Sequence, residues 1–366
     1  MATMEVLGAF KSVFAIALET VGAGGMIKSW IFEFFATPPR LIEHFDPAAS
    51  LRHFDGYLDA WTSAEAAGFE GIFFSEHHFG ASYSPSPNLL IAAVAVRTKK
   101  LRLGVMGMVP PYHSPWRLVE EIGMLDHLTG GRLEIGTSPG IPPEMAQVGL
   151  SVEEARARYD EAVGIIDQAL AEPVISHHGK FWNFDNLRLT PRTIQQPHPP
   201  KWVTVVSASS ARKAARRCAK ISTGFHPQEK VIEIFNAYRD EAAKAGRKAG
   251  PDDLCLRRQV VMDEDAEALA KRRVAYRDFL KFDPRLNLPD RPALDTPLSH
   301  SFTIGDEEFI GGEPAAIAQQ IAAQCRSAGA GHFAGLFDRL ISPAQTMEIY
   351  RVFGEAVIPK LRAAPV

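Results

Sequence analysis

The stretch GFEGIFFSEHHFGASYSPSPNLLIAAVAV, residues 68–96, contains one complete strand-to-helix unit. Gly68 closes a preceding helical pattern, and the segment GIFFSE (71–76) is a short apolar run. PNLLIAAVAVRT (87–98) then has helical spacing with proline at its first turn. Between the two, Glu76, His77, His78 and Phe79 follow directly on Ile72, Phe73 and Phe74. An acid and two imidazoles therefore sit at the end of something that reads as a buried strand.

The same unit recurs on either side. Strands are predicted at 26–35, 101–109, 132–138, 201–207 and 332–337, and helices at 50–69, 115–130, 151–171, 210–220, 314–329 and 344–361. Pro115 and Gly130 bracket one helix, and Ser151 with Glu154 reads as a capping box for another. Alternation of this kind over most of the length predicts a parallel α/β sheet, either closed into a barrel or open and doubly wound. No GxGxxG follows the first strand and no Walker A sequence occurs, which weakens the open-sheet nucleotide-binding reading. Two regions break the rhythm. Residues 173–200 read as an ordered insertion with short strands. Residues 281–302 hold four prolines and no period, the pattern of a mobile lid loop or of plain disorder. Residues 1–25 lack a strongly basic start and read as an extension outside a single domain spanning 26–366.

Composition narrows the partners. Apolar residues are 46% and charged residues 23% of 366, with a formal charge of -3, so no basic excess points to nucleic acid and no charged tail to a membrane surface. No stretch reaches the length of a membrane span. Cys218, Cys255 and Cys325 are scattered and odd in number, which fits a reducing, cytoplasmic setting without a disulfide framework.

In a parallel barrel the chemistry lies at the C-terminal ends of the strands, where Glu76 and His77 fall. A histidine there can give or take a proton near neutral pH, and an adjacent acid can fix its tautomer. The plainer reading is that both histidines bond backbone at a strand end. Adjacent histidines point different ways and HExxH spacing is absent, which argues against a metal. GVMGMVPPYHSP (104–115) places Gly104 and Gly107 where a flat ligand could approach the backbone, or where a strand is merely tight. VVSASSARKAARR (205–217) runs from strand to helix through Ser207, Ser209 and Ser210, a phosphate seat or an ordinary serine cap.

The segments FFSEHHF, GVMGMVPPYHSPWRLVEEIGMLDHLTGGRLEIG, PRTIQQPHPPKWVTVVSASSARKAARR and FIGGEPAAIAQQIAAQCRSAGAGHFAGLF occur in this order. Together they resemble the bacterial-luciferase-like, flavin-dependent monooxygenases over residues 26–361. The resemblance implies a TIM (β/α)8 barrel with flavin at the C-terminal ends of its strands. It further implies a homodimer using reduced FMN (FMNH2) from a separate flavin reductase. O2 would then give a flavin C4a-peroxide that transfers one oxygen atom to a small, hydrophobic organic substrate. His77 matches the family's catalytic histidine, with Glu76 expected to orient it. Met106 and Gly107 match a dipeptide that adopts a cis bond behind the flavin ring. Ser207, Ser209 and Ser210 match the phosphate-binding turn, and Arg156 a phosphate-contacting arginine. Ser138 and Pro139 stand where luciferase has a reactive cysteine followed by a phosphate-binding arginine, a departure that leaves phosphate binding to Arg156 and the serines.

Two other functions share these residues. One is hydride transfer with the deazaflavin F420 as cofactor. The other is a flavin-binding protein without catalysis.

Overall fold

The computed structural model describes residues 26–79, 82–281, 305–338 and 341–366. Residues 1–25 and most of the 281–302 segment lie outside the described residues, so the extension and the lid remain sequence expectations. The strands are β1 (Lys28–Glu33), β2 (Gly71–Phe74), β3 (Arg102–Met108), β4 (Leu133–Thr137), β5 (Ile175–His178), β6 (Asn183–Leu187), β7 (Lys201–Thr204), β8 (Lys220–Thr223), β9 (Leu254–Met262), β10 (Phe309–Gly312) and β11 (His332–Leu336). Eight of them run parallel in the order β9, β11, β1, β2, β3, β4, β7, β8, and β8 pairs back onto β9. This closed ring, wrapped by helices, is a TIM barrel. β10 lies outside the ring, paired with the upper half of β9 from Gln259 to Met262. β5 and β6 form an antiparallel hairpin, the short strands anticipated within 173–200.

Side-chain alternation divides each strand between two cores. Ile31, Ile72, Phe74, Leu103 and Ile135 face the helices. Trp30, Phe32, Phe73, Met106, Trp202 and Ala334 fill the lumen. Near the lower end of the lumen the large rings keep their polar edges satisfied. Trp30 Nε1 donates to His332 Nδ1 (2.9 Å), and Trp202 Nε1 donates to Glu134 Oε2 (2.6 Å). That end is a plug, and the upper end is left for chemistry.

The helices begin largely where the sequence indicates. Asp46 caps the helix Pro47–Ala66 by accepting the N–H groups of Ala48 and Ala49 at 2.9 and 3.1 Å, three residues earlier than the spacing suggested. Gly130 adopts a left-handed φ of 64° and ends Pro115–Thr129. Ser151 accepts the Glu154 N–H at 3.0 Å, but the Glu154 carboxylate pairs with Arg158 (2.9 Å) instead of closing the capping box. The helix expected at 210–220 is Ala208–Arg216, because β8 already begins at Lys220.

Candidate active site

The chain leaves β2 in an extended path, so odd positions continue to face the lumen and even positions face away. His77 thereby comes over the lumen, where its ring stacks on Phe34 with centroids 5.0 Å apart and planes 11° from parallel. Its Nδ1 lies 3.0 Å from Glu144 Oε1, which also accepts the His78 N–H at 3.1 Å. Because that oxygen is a carboxylate acceptor, Nδ1 is the donor in this bond, which assigns the tautomer of the His77 ring.

The expected pairing of Glu76 with His77 is thus corrected. Adjacent residues of an extended chain point apart, and Glu76 serves other partners. Its Oε1 accepts from His78 Nε2 (3.0 Å) and His113 Nε2 (2.8 Å), and its Oε2 accepts the Val109 N–H (3.1 Å). Glu76 clamps the segment after β2 to the segment after β3. Glu144, on the short helix Pro142–Gln147 after β4, takes the role assigned to Glu76. No sequence signal marked it, since its partner lies 67 positions away.

Burial works against the Glu76 carboxylate, but the bonds from His113 and His78 outweigh it and hold its pKa below the ordinary 4.5. Burial likewise disfavours charged His113, yet the bond to Glu76 lifts its pKa above 6.5. A depressed acid stabilises the fold above its unfolded value and loses that contribution as pH falls through the folded one. A raised imidazole stabilises below its unfolded value and loses that contribution as pH rises through the folded one. The clamp is accordingly strongest at roughly pH 5–6.5. The melting-temperature difference between wild type and His113→Gln, followed against pH, should be largest there and shrink in both directions. A difference independent of pH would show that the clamp is not ionic.

The neighbouring strand ends carry the other candidates. The Met106–Gly107 peptide is cis. At both glycines a neighbouring chain segment fills the space a side chain would take. A Cβ at Gly104 would stand 2.8 Å from Glu134 Cβ and 2.9 Å from Phe73 Cδ1, and one at Gly107 would stand 2.6 Å from the Thr137 carbonyl carbon. The close approach there is of β4 and Phe73. Ser138, half-buried at the end of β4, donates its N–H to Met108 O (2.8 Å) and accepts the Gly140 N–H on Oγ (3.3 Å).

At the start of Ala208–Arg216, Ser207 Oγ accepts the Ser210 N–H and Ser210 Oγ accepts the Ser207 N–H, both at 3.2 Å. Those two hydroxyls cap each other, and Ser209 is exposed. Arg156 is exposed on Val152–Ala171. The two helices are joined by Lys213 and Asp160 (2.9 Å). Ser209 lies one turn before Lys213 and Arg156 one turn before Asp160, so both stand at the upper end of this helix pair.

Around the mouth, Phe35, Phe79 and Phe225 adopt left-handed φ values of 45°, 57° and 62° just beyond β1, β2 and β8. For bulky residues this conformation is strained, and such strain gathers at functional sites. Ser75 Oγ, Thr204 Oγ1 and Gln259 Oε1 are buried polar atoms that alternation turns inward, each without a hydrogen-bond partner among the described residues.

A barrel with its reactive side chains at the C-terminal mouth has the architecture of an enzyme. The family model for luciferase-like monooxygenases matches residues 41–332, and the chain belongs to that family. It is accordingly an oxidoreductase of the monooxygenase type. It is 35% identical over 287 residues to the uncharacterized protein y4wF of Sinorhizobium fredii, covering 75% of this chain and 83% of that one. It is 29% identical over 229 residues to the oxygenase component of the flavin-dependent trigonelline monooxygenase of Acinetobacter baylyi, covering 61% of this chain and 63% of that one. Among solved structures it is similar to the monooxygenase RslO1 of Streptomyces bottropensis, with a TM-score of 0.76 and 25% identity over 91% of this chain and 99% of that one. No described helix is long and apolar enough to cross a membrane.

Proposed function

We propose that this chain is the oxygenase half of a two-component system in a reducing, cytoplasmic compartment. It would take reduced FMN from a separate flavin reductase and use O2 to place one oxygen atom on a small organic substrate. The observation that carries the reading is His77, turned over the lumen against Phe34 with its Nδ1 fixed by Glu144. The residues present fit a flavin. The mouth joins an aromatic wall, Phe32 and Phe34, to the inward polar atoms of Ser75, Thr204 and Gln259, which suits a flat ring with one polar edge.

In this arrangement Met106, Gly107 and Ser138 line the ring. The helix start at Ser207–Ser210, the Ser209 hydroxyl and Arg156 would hold the phosphate. Bound reduced FMN supplies the two electrons that activate O2. His77 Nε2 holds and returns a proton beside the ring, and Glu144 steadies the imidazolium. The aromatic wall keeps water from the reacting atoms.

Glu144→Gln should lower substrate oxygenation by about 10²-fold and displace its pH profile, with flavin affinity little changed. An unaltered rate and profile would remove Glu144 from the mechanism. The cofactor is tested by anaerobic titration with reduced FMN and, in parallel, reduced F420. Preference for F420 would move the protein to hydride transfer.

The same reading includes a homodimer. Leu89, Val96, Trp116, Met124 and Leu128 are exposed apolar side chains on or beside the helices Pro87–Ala95 and Pro115–Thr129, which suits burial against a second copy. Light scattering should give twice the monomer mass, and a single monomeric species would reject the pairing.

A further inference from the structure

The row of side chains at the top of the lumen can be read from the strand register. Gln259 pairs with Leu336 of β11 on one side and with Phe309 of β10 on the other. Phe32 follows Ile31, which pairs with Gly335, so it stands in the same row as Leu336. Paired residues of parallel strands point to the same side. Val260 and Ile310 are paired and face the helices, so Phe309 and Gly311 turn with Gln259 toward the mouth. β10 thus carries the inner wall of the barrel outward past β9.

The helix Ala266–Lys281 lies on that wall. A Cβ at Gly311 would stand 2.8 Å from Leu269 Cδ2, so Leu269 packs where Gly311 has no side chain. Seven residues on, the Tyr276 ring meets Phe309 edge-on, with centroids 5.2 Å apart and planes 88° from parallel. Positions seven apart share one face of a helix. From Leu269 to Tyr276 the helix therefore passes from Gly311 back to Phe309, and descends toward the row of Gln259 and Leu336. Arg272, one turn after Leu269, ties this face to the rim. Its guanidinium pairs with Asp338 beyond β11 at 2.8 Å and stands 3.7 Å from Asp263 beyond β9. Among the described residues, Phe34 and Tyr276 are the two partly buried rings packed against the lumen cluster that includes Phe32 and Leu336. Phe34 comes from β1 with His77 stacked on it, and Tyr276 comes from the side of β9 and β10.

We propose that Tyr276 is the specificity-determining residue of this site, the wall that sets how long an apolar body the substrate can carry. The inference rests on the oxygenase reading for what happens to the substrate, but not for the size limit. The body of the molecule rests on Phe32 and Leu336, between the Phe34 ring on one side and the Tyr276 ring on the other. These four side chains offer carbon surface, which suits an uncharged aromatic or aliphatic molecule. Growth of the molecule away from His77 runs into the Tyr276 ring, which is backed by Phe309 and carried on a helix tied to two strand ends. A packed ring of that kind yields little to an added carbon.

The experiment is calorimetric titration with the para-alkyl benzyl alcohols from methyl to hexyl, on flavin-free and on FMN-loaded protein. It is run on wild type, Tyr276→Ala, Tyr276→Phe and Tyr276→Trp. In wild type the affinity should rise with each added carbon and then fall at one member of the series. Tyr276→Ala should move that fall to a longer chain and bind the longest member about tenfold more tightly than wild type does. Tyr276→Trp should move it to a shorter chain, and Tyr276→Phe should leave it in place. Shifts of opposite sign are not expected of a merely structural residue, since a loosened helix would weaken the whole series alike. The Trp and Phe variants give a result even where Tyr276→Ala does not fold. The proposal is overturned by a wild-type series without a fall, by a fall at the same member in the Ala or Trp variant, by a uniform loss across the series, or by no binding of any member. The series is read on the flavin-free protein as well, so a failure of the oxygenase reading would show separately, in the flavin chemistry.

Discussion

Replacing His77 with alanine is expected to lower substrate oxygenation by about 10²–10⁴-fold while flavin affinity stays nearly unchanged. The expectation follows from how the side chain is held. Phe34 covers one face of the ring, and Glu144 fixes Nδ1 as the donor. What is lost is one proton-exchanging nitrogen beside the reacting ring, not a wall of the flavin pocket. The phosphate contacts assigned to Ser209 and Arg156 lie across the barrel and are untouched. The readout is product formed per reduced flavin consumed, with flavin affinity measured on the same variant. Oxygenation that survives the change would remove His77 from the mechanism. A protein that binds flavin equally well with or without His77 and never oxygenates a substrate would be the non-catalytic alternative.

Glu76→Ala should fail differently, by costing about 3 kcal/mol of stability. The substitution leaves His78, His113 and the Val109 N–H without their common acceptor in a largely buried place. It also releases the tie between the ends of β2 and β3. His77 keeps Glu144, so the oxygenation rate per folded molecule should fall much less than in the His77 variant. Urea unfolding followed by tryptophan fluorescence reads the effect, as a lower midpoint with little change in slope. A midpoint equal to that of wild type would mean that the three donors find other partners, and that Glu76 has no structural role.

The contrast between these two variants marks how far the sequence could be read. Local rules located β2, its acid and its histidines, because apolar runs, prolines and glycine stops are neighbours along the chain. The serine cap after β7 was equally legible, since Ser207 and Ser210 act on each other within one turn. Glu144 was not, because its meaning comes from a histidine on another strand end. Nor were β8 and β9 anticipated. β8 is only four residues, KIST. β9 inverts the usual pattern, since its inward positions carry Arg257 and Gln259 while Leu254, Leu256 and Val260 face the helices. A strand whose lumen side is built for a ligand does not look like core. The glycines at 104 and 107 were legible as a tight strand, and β4 and Phe73 are what approach them.

The central claim is that this barrel mouth brings reduced flavin and O2 together under the control of His77. It is tested most directly by loading the protein with reduced FMN without oxygen and then mixing the complex with O2 in a stopped-flow spectrometer. The expected result is a persistent absorbing species that is neither reduced nor oxidised FMN, and that decays faster in His77→Ala. Direct reoxidation at the rate of free reduced FMN, the same in wild type and variant, would contradict it.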